Sequence, residues 1–370
     1  MILKVLFVTN IVVTHQIGMW DVFYQNKNVD FVYLATSELS EERKKMKYKE
    51  LMRNYIVKSK SLSHFELIQL FKNADIVVFG CTDDRRVYKC LKYSKKIYYM
   101  SEHLSKTGSF IEKVLNYFHF LKINLITSKS DKYLLSNSSF AKDDFLKHGI
   151  KSDHIFKFGY FPSLKPISES ECFNKNKYEI CWCGRLLDWK RPILALKGLM
   201  KLLTFNPNYH LTIIGEGKEK DKLLSFCRKN DLLNNVDFCD FVENDKVIEF
   251  FKKASLFLFT SNHSEGWGVV LNEAMSQGCF CVASSEAGAT NFLIQDKKNG
   301  LVYSDESLFF SNLFEYNSMS LDAIRKIQKS AVSSIKNHWN NKEAAKRLLE
   351  HLLSNGSSKM PSFGPMSKDG

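Results

Sequence analysis

Residues 264–278 have the sequence SEGWGVVLNEAMSQG, which joins an apolar segment to a helical pattern through an acidic turn that contains glycine. The preceding run, ASLFLFT at 254–260, is short and almost entirely apolar, as is typical of a strand buried on both faces of a parallel sheet. A helix is predicted from about Gly268. The first-turn amides of such a helix have no intrahelical partners and carry partial positive charge, so a diphosphate can bind there.

Two glutamates lie in this segment. Glu265 precedes the predicted helix and Glu273 lies inside it, so the two carboxylates can contact different parts of one extended ligand. Carboxylates accept hydrogen bonds from sugar hydroxyls. For isolated residues, the ordinary explanation would be a helix cap for Glu265 and a solvated helix position for Glu273.

Two upstream segments also end a predicted strand with glycine. The sequence YEICWCGRLLDWKRP at 178–192 places Arg185 and Lys190 just after a strand, where open α/β sheets bind ligands. A guanidinium fork and an ammonium group together suit two neighbouring phosphates. A further strand ends in Gly-Glu-Gly at 215–217, which again places backbone amides at the carboxyl end of a strand.

This ordered set of motifs resembles the retaining glycosyltransferases of the GT-B fold, specifically family 4, which includes capsule, O-antigen and phosphatidylinositol mannosyl transferases. The resemblance is close over 179–303. It implies an α/β fold in which two Rossmann-like, doubly wound parallel-sheet domains face a central cleft.

The resemblance also implies roles for individual residues. Arg185 and Lys190 would neutralise the diphosphate, Glu265 would contact the transferred sugar, and Glu273 would hold the nucleotide ribose. Phe241 and Val242 match a loop beside the nucleotide base, although a place in the core would also explain an aromatic residue there. The other implied donor-binding positions are Gly184, Gly215 and the backbone groups of Trp267, Gly268, Val269 and Val270.

The acceptor side is expected in the first domain. Many family members have adjacent glycines in their first loop, whereas this chain has THQIG at 14–18. His15 follows the first predicted strand, and Glu102 and His103 follow another, where the resemblance implies a histidine or acidic residue near the reacting centre. We predict a catalytic role for His103 and acceptor contacts for His15 and Glu102, with a structural role as the alternative for each histidine.

The composition of the chain restricts which cofactors and which cellular compartment we expect. The nine cysteines form no CxxC pair and no Cys/His cluster with metal-ligand spacing, which favours reduced thiols and argues against zinc. The first ten residues, MILKVLFVTN, are predicted to form a strand and not a signal peptide, and no segment is long enough to span a bilayer. The donor region has no Asp-x-Asp motif, so we expect a metal-independent cytoplasmic enzyme with a nucleotide sugar as co-substrate and no cofactor.

Charge is unevenly distributed along the chain. Residues 1–165 contain 27 Lys+Arg and 16 Asp+Glu, whereas residues 166–370 contain 26 and 24. No nucleic-acid-binding motif accompanies this basic half, so we expect peripheral contact with an anionic membrane at its inner face and no nucleic-acid partner. The candidate contact segments are 43–60 and the aromatic stretch 110–123.

The aromatic stretch forms a helical pattern. Its apolar residues recur at helical spacing. We expect this helix to pack on the first domain's own sheet, and membrane contact remains the alternative if one rim stays exposed. The recurring positions are Phe110, Ile111, Val114, Leu115 and Phe118.

The predicted organisation has three parts: an acceptor domain over 1–165, a donor domain with terminal helices over 166–353, and a disordered tail over 354–370 that is rich in Gly, Ser and Pro. In the family, the last helix crosses back to the first domain. The strands predicted for the first domain lie at 4–9, 29–35, 76–80, 96–100 and 124–127, with helical patterns at 18–25, 40–53 and 65–72.

We therefore predict a retaining glycosyltransferase that transfers a sugar from a nucleotide-diphosphate donor to a hydroxyl of a lipid-linked saccharide in surface polysaccharide biosynthesis. Two alternatives share this architecture. One is a nucleotide-sugar epimerase, and the other is a catalytically silent subunit that recruits a partner enzyme to the membrane.

Overall fold

The computed structural model describes residues 2–12, 14–39, 51–105, 109–172 and 174–368. The chain forms two compact units, of which the first comprises Met1–Ser163 with Asn341–Gly370 and the second comprises Leu164–Asn340. Residues 40–50 of the helical pattern predicted over 40–53, and with them the first part of the basic segment, 43–50, lie outside the described residues, and 51–53 form no helix.

The first unit is built on a parallel sheet of seven described strands in the order β3-β2-β1-β4-β5-β6-β7. These strands are β1 (Leu3–Thr9), β2 (Val29–Ala35), β3 (Ile56–Lys58), β4 (Ile76–Phe79), β5 (Lys96–Ser101), β6 (Asp131–Ser136) and β7 (Ile155–Lys157). The α-helices are α1 (Thr14–Tyr24), α2 (His64–Asn73), α3 (Arg85–Cys90), α4 (Phe110–Ile126) and α5 (Ala141–Lys147). Short 3-10 helices lie at Ser59–Ser61, Leu91–Tyr93 and Ser152–His154. Helices cover the sheet, so β1 and β4 are almost entirely buried.

The strand predicted at 124–127 is wrong. These residues form the end of α4, and the strand follows at β6. The hydroxyl of Thr127 donates a hydrogen bond to the carbonyl of Ile123 at 2.7 Å. The side-chain amide of Asn124 donates a hydrogen bond to the carbonyl of His148 at 3.0 Å. These bonds satisfy polar groups at the end of the helix, so the apolar run continues as a helix.

The second unit is built on a parallel sheet of six described strands in the order β10-β9-β8-β11-β12-β13. These strands are β8 (Asn176–Cys183), β9 (His210–Ile214), β10 (Val236–Cys239), β11 (Ala254–Phe259), β12 (Phe280–Ser284) and β13 (Leu301–Tyr303). The α-helices are α6 (Glu169–Cys172), α7 (Pro192–Leu203), α8 (Lys220–Lys229), α9 (Asn244–Lys253), α10 (Val269–Ser276), α11 (Thr290–Leu293), α12 (Glu306–Ser318) and α13 (Leu321–Asn337), with 3-10 helices at Asp188–Lys190 and Leu233–Asn235. Successive strands are added on one side of β8 as far as β10 and then on its other side from β11, and such a switch point leaves a crevice at the carboxyl ends of the strands.

The last helix, α14 (Asn341–Leu353), belongs to the first unit, where it packs against α1. Its inward side carries a row of small and branched apolar residues that are all buried. They are Ala344, Ala345, Leu348, Leu349 and Leu352. Residues from two distant parts of the chain therefore complete one core.

The prediction of a disordered tail over 354–370 is wrong for the described part of that segment, 354–368. Met366 donates its amide hydrogen to the carbonyl of Lys157 at 2.8 Å, and the amide of Lys157 donates to the carbonyl of Ser367 at 2.9 Å. The guanidinium of Arg347 binds the carbonyl of Phe363 at 2.7 Å. Composition indicated too little apolar surface for a separate core, but the tail buries Met366 against a core that already exists.

Candidate active site

The loop between β11 and α10 contains the acidic turn at 264–268. Gly268 caps α10 with φ of 95°, a left-handed conformation that favours glycine. A Cβ at this position would lie 2.3 Å from the ring of Phe259. Glycine therefore allows the loop to turn tightly over the end of β11, where the first-turn amides of α10 have no partner within the helix.

Glu265 lies in this loop and is buried. Its carboxylate accepts a hydrogen bond from the Lys190 ammonium, with which it forms an ion pair, and a second from the hydroxyl of Ser261 at 3.0 Å. Two residues predicted separately to contact a sugar and a diphosphate are thus direct neighbours. The N-cap residue of α10 is Gly268, so the explanation of Glu265 as a helix cap is wrong.

Lys190 is held in place by its backbone. It ends the 3-10 helix that follows β8, and its carbonyl accepts a hydrogen bond from the hydroxyl of Thr260 at 2.6 Å. The indole of Trp182 in turn donates to that hydroxyl at 2.8 Å. All of these groups lie at the carboxyl ends of β8 and β11, so the switch point of the sheet brings the Lys190 ammonium to the Glu265 carboxylate.

The glycine turns after β8 and β9 are interlocked. Gly215 has φ of 134°, and a Cβ on it would lie 2.0 Å from the carbonyl oxygen of Gly184. The amide of Gly184 donates to the carbonyl of Ile214 at 3.0 Å, and the amide of Leu186 donates to that of Glu216 at 2.8 Å. The two predicted glycines therefore allow the two turns to pack closely. This packing fixes the backbone of Arg185, which follows Gly184.

Arg185 is exposed at this edge. Within the described ranges of the chain, its guanidinium has neither a hydrogen-bond partner nor an ion-pair partner. A cation without a protein partner beside a buried ion pair can bind an anionic ligand without breaking an existing contact.

Glu273 is also buried, so its interpretation as a solvated helix position is wrong. Burial raises the pKa of its carboxyl to about 7, and a hydrogen bond from the side-chain amide of Asn244 at 2.8 Å opposes this shift. The group is therefore close to half protonated at neutral pH. It can accept a hydrogen bond from a ligand hydroxyl or donate one to a ligand oxygen.

The other predicted donor-binding residues differ in whether their side chain or only their backbone is accessible to a ligand. The indole of Trp267 is buried and donates to Asn272 at 2.9 Å, so only its backbone can contact a ligand. Gly268, Val269 and Val270 are partly exposed at the start of α10. The last two predicted residues, Phe241 and Val242, follow the end of β10.

Phe241 is 45% exposed, which excludes the alternative that its ring belongs to the core. Its amide donates to the Glu216 carboxylate at 3.3 Å, and Val242 beside it is half-buried. Glu216 was not predicted as a functional residue, although its position between two glycines of a strand-end turn was a usable signal.

In the first unit, the predicted residues divide into two groups. The hydroxyl of Tyr160 donates to the Glu102 carboxylate at 2.9 Å, and the ring of His15 lies 4.6 Å from that of Tyr160. His15 lies in the first turn of α1. His103 is buried elsewhere: its Nδ1 lies 3.2 Å from the hydroxyl of Ser138, and its ring meets the edge of Phe140.

Tyr160 was missed by the sequence reasoning. Burial raises the pKa of its phenol well above the usual value, and the neighbouring Glu102 carboxylate adds to this effect. Tyr160 follows β7 by three positions, and the rule that ligands bind at the carboxyl ends of parallel strands could have found it.

The described residues contain neither a metal site nor a membrane-spanning helix. In the part of the chain that the structure describes, no three His, Cys, Asp or Glu side chains are placed to hold a metal ion. Across the same residues, no helix has the length and apolar character required to cross a membrane.

Comparison with known proteins shows that part of the chain is similar to a known family. Residues 165–308 match the model of the family Glycosyl transferases group 1. An uncharacterized glycosyltransferase of Methanocaldococcus jannaschii is 26% identical over 286 residues, covering 72% of this chain and 71% of that protein.

A second relative, from Campylobacter jejuni, is N-acetylgalactosamine-N,N'-diacetylbacillosaminyl-diphospho-undecaprenol 4-alpha-N-acetylgalactosaminyltransferase, which is 27% identical over 181 residues. That match covers 48% of this chain and 47% of the relative. Among solved structures, Anabaena HepE in complex with UDP and glucose superposes with a TM-score of 0.64 at 15% identity, covering 95% of this chain and all of that one. The predicted fold, two Rossmann-like parallel-sheet units with GT-B structural neighbours, is confirmed.

Proposed function

We propose that this protein is a retaining, metal-independent glycosyltransferase of family 4. It transfers a sugar from a nucleotide-diphosphate donor to a hydroxyl of a lipid-linked saccharide during assembly of a surface polysaccharide, such as a capsule or an O-antigen. The observation that carries the proposal is the buried Lys190–Glu265 pair at the switch point of the second sheet, inside the segment that matches the family model.

The donor diphosphate is assigned to the carboxyl edge of β8 and β11. Arg185 supplies an exposed guanidinium, Lys190 an ammonium, and the first turn of α10 its backbone amides. The Lys190 ammonium and the start of α10 are held by the surrounding loops before a ligand arrives, whereas the Arg185 side chain is free to turn toward the ligand. Fixed positive charge of this kind stabilises a departing diphosphate effectively, and it supports a reaction without a metal.

The donor sugar and nucleoside are assigned to the two glutamates and the neighbouring loop. Glu265 accepts hydrogen bonds from hydroxyls of the transferred sugar, and Lys190 and Ser261 hold its carboxylate in place. Glu273 binds the ribose hydroxyls through a carboxyl that can accept or donate. Phe241 and Val242 line the nucleotide base. HepE was crystallised with UDP, which supports a nucleotide as the ligand of this fold.

The proposed reaction retains the configuration of the anomeric carbon. The bond from that carbon to the diphosphate oxygen breaks first, and the acceptor hydroxyl attacks on the face from which the diphosphate departs. The hydroxyl proton passes to the departing phosphate oxygen. In this scheme the protein forms no covalent bond to the sugar, and Arg185 and Lys190 stabilise the negative charge that develops on the leaving group.

The acceptor is assigned to the first unit. Glu102, Tyr160 and His15 form a group of hydrogen-bonding side chains that can bind a sugar hydroxyl. The buried His103 retains its proposed catalytic role in this scheme. The Campylobacter jejuni relative is named for an acceptor linked to diphospho-undecaprenol, which supports a lipid-linked acceptor and a cytoplasmic enzyme at the inner face of the membrane.

The first test is thermal stabilisation of the purified protein by a panel of nucleotide-diphosphate sugars, with and without a metal chelator. We expect one donor to raise the melting temperature equally in both conditions, and Glu273→Ala to abolish the effect. A requirement for metal would contradict metal independence. Stabilisation without transfer to any acceptor would favour the silent subunit, and turnover of the donor to an isomer without an acceptor would favour the epimerase.

Arg185→Ala tests the chemical step. Because the guanidinium has no protein partner in the described structure, we expect the free energy of unfolding to change by less than about 0.5 kcal/mol. Transfer should fall by roughly 10²- to 10³-fold, as when one preorganised donor is removed. Arg228→Ala, an exposed arginine on α8, is the matched control and should leave both quantities unchanged. Normal transfer by a folded Arg185→Ala protein would disprove the assignment.

A further inference from the structure

Helix α4 packs a few apolar residues on the first unit and presents many others to solvent. On its inner side, Phe120 and Ile123 are buried, and the ring of Phe120 stacks on His148 at 4.1 Å and meets Phe145 at 4.9 Å. These contacts attach the helix to the first unit. The helix therefore packs on the first unit, but three members of the predicted stripe, Ile111, Leu115 and Phe118, face solvent, and for them the expectation of packing on the sheet is wrong.

The outward side of α4 forms a continuous apolar stripe. Ile111 is 72% exposed, Leu115 64%, Phe118 63% and Leu125 76%, and their spacing places them on one face of the helix. Tyr117 and Leu121 are exposed beside them. Single exposed apolar residues are common, but a contiguous row of this size marks an interaction surface.

The charges near the stripe are mostly positive, although Asp143 on the neighbouring helix α5 is also exposed. The sequence of α4 contains a single acidic residue, Glu112, whose carboxylate accepts a hydrogen bond from Ser105 at 3.1 Å near the start of the helix. Lys122 lies on the outward side, with its ammonium 5.6 Å from the ring of Tyr88 on the adjacent helix α3. On the neighbouring helices, Lys89 and Lys147 are also exposed.

The unit that carries the stripe also carries the charge of the protein. The sequence of the first unit contains 31 Lys+Arg and 19 Asp+Glu, a formal charge of +12, whereas the second unit contains 22 and 21, or +1. An apolar row on a strongly basic body matches a surface that has both hydrocarbon and negative charge. A second copy of this chain would instead bring two bodies of charge +12 together.

We propose that the outward stripe of α4 is a lipid-binding surface that inserts into the headgroup region of an anionic membrane. A helix of 17 residues is about 25 Å long, and its inner side packs on the first unit, so the helix lies in the plane of the interface with its outward stripe toward the lipid. Lys122 and the neighbouring lysines meet the anionic headgroups. The inference rests on the proposed function only in that a lipid-linked acceptor requires the enzyme at a membrane.

The experiment measures binding of the full-length protein to vesicles by co-sedimentation. One set of vesicles contains phosphatidylglycerol and phosphatidylcholine in equal amounts, and the other contains phosphatidylcholine alone. We expect binding to the mixed vesicles that weakens with salt, and little binding to phosphatidylcholine. In Phe118→Ser/Leu125→Ser, binding should fall on the order of tenfold or more, since two large apolar side chains no longer insert.

The matched control is Leu233→Ser/Phe314→Ser, which changes one leucine and one phenylalanine that are exposed on the second unit. It should bind vesicles as the unmodified protein does. Circular dichroism and the melting temperature of both variants check that they fold. Lys122→Ala, a milder change, should weaken binding to the mixed vesicles about fivefold.

Several outcomes would overturn the inference. Among them are no binding by the unmodified protein, an equal loss in the control variant, and equal binding to both kinds of vesicle. A change of the stripe variant from dimer to monomer in light scattering, with vesicle binding intact, would identify a second copy as the occupant. Donor stabilisation is measured separately, so loss of vesicle binding with donor binding intact removes the membrane surface and leaves the glycosyltransferase proposal standing.

Discussion

At the scale of single residues, the Lys190–Glu265 ion pair lies at the switch point of the second sheet, where we propose that the donor binds. The two side chains are only 13% and 10% exposed. Removing one partner of such a buried pair leaves a charge that has lost both water and its counter-ion. Removing both leaves neutral groups of similar shape, which is much less costly.

This difference separates a structural effect from a chemical one. We expect Lys190→Met and Glu265→Gln each to lower the free energy of unfolding by about 3 kcal/mol, and Lys190→Met/Glu265→Gln to regain most of that loss. Transfer should be lost in all three proteins. Urea unfolding and a transfer assay measure the two effects, and strictly additive losses in the double variant would show that the two charges are not coupled.

Glu273 gives a prediction about pH. Its folded-state pKa of about 7 lies above the ordinary value, so the folded protein keeps this proton at pH values where the unfolded chain has lost it. The stability contributed by the protonated group is present below about pH 4.5 and is lost as pH rises to about 7. Glu273→Gln removes this titration while retaining an oxygen that can accept the Asn244 hydrogen bond.

Relative to the unmodified protein, Glu273→Gln should therefore gain about 3 kcal/mol in unfolding free energy between about pH 5 and about pH 8. Urea unfolding at the two pH values measures the change. Glu249→Gln, an exposed glutamate on α9, is a suitable control and should show a difference that is nearly independent of pH. A constant difference for Glu273→Gln as well would mean that this carboxyl titrates normally.

At the scale of elements, the start of α10 depends on a backbone conformation and on space. Gly268 and Gly149 both have left-handed φ values, 95° and 85°. A Cβ at Gly268 would lie 2.3 Å from the Phe259 ring, whereas a Cβ at Gly149 would have no neighbour within 4 Å. Alanine would adopt an unfavourable backbone conformation at both positions. Only at Gly268 would its methyl group also clash with a neighbouring side chain.

Gly149→Ala should therefore lower the free energy of unfolding by about 1 kcal/mol, and Gly268→Ala by roughly 2 kcal/mol more. Gly268→Ala should also weaken donor-induced thermal stabilisation, because the first-turn amides of α10 move with the displaced loop. Equal losses of stability in the two variants would show that the loop accommodates the extra methyl group.

At the scale of the whole molecule, the first unit is assembled from both ends of the chain. Residues 354–368 return to β7, where Met366 is buried and Lys368 pairs with Phe156 in an antiparallel bridge. The guanidinium of Arg347 binds the carbonyls of Phe363 and Pro365 at 2.7 and 3.1 Å. The tail therefore belongs to the core of the first unit.

Met366→Ala should lower the unfolding free energy of the first unit by about 2 kcal/mol or more, because it removes a buried side chain. Calorimetry follows this unit separately if the two units unfold in two transitions. Ser362→Ala changes an exposed residue of the same segment and should have no effect. An unchanged melting profile for Met366→Ala would show that the tail contributes nothing to stability.

Much of this organisation was predictable because it depends on local properties of the chain. Alternating apolar strands and amphipathic helices indicate a parallel α/β sheet wherever they occur, and glycines at strand ends indicate close backbone approach. The strand assigned to 124–127 failed because a short apolar run has no feature that separates a strand from the last turn of a helix. The disordered tail failed because composition describes a segment alone and not the core on which it packs.

The sequence by itself determined the alternation of strands and helices, the glycine turns, and the position of Arg185, Lys190, Glu265 and Glu273 at the ends of strands or in the helix that follows. Only the tertiary structure decided that Lys190 pairs with Glu265, that burial raises the pKa of Glu273, and that α4 turns its apolar stripe outward. The physical reason is that periodicity and steric preference act within a few residues. Desolvation, ion pairing and the exposure of a helix face depend on groups that folding brings together from distant parts of the chain.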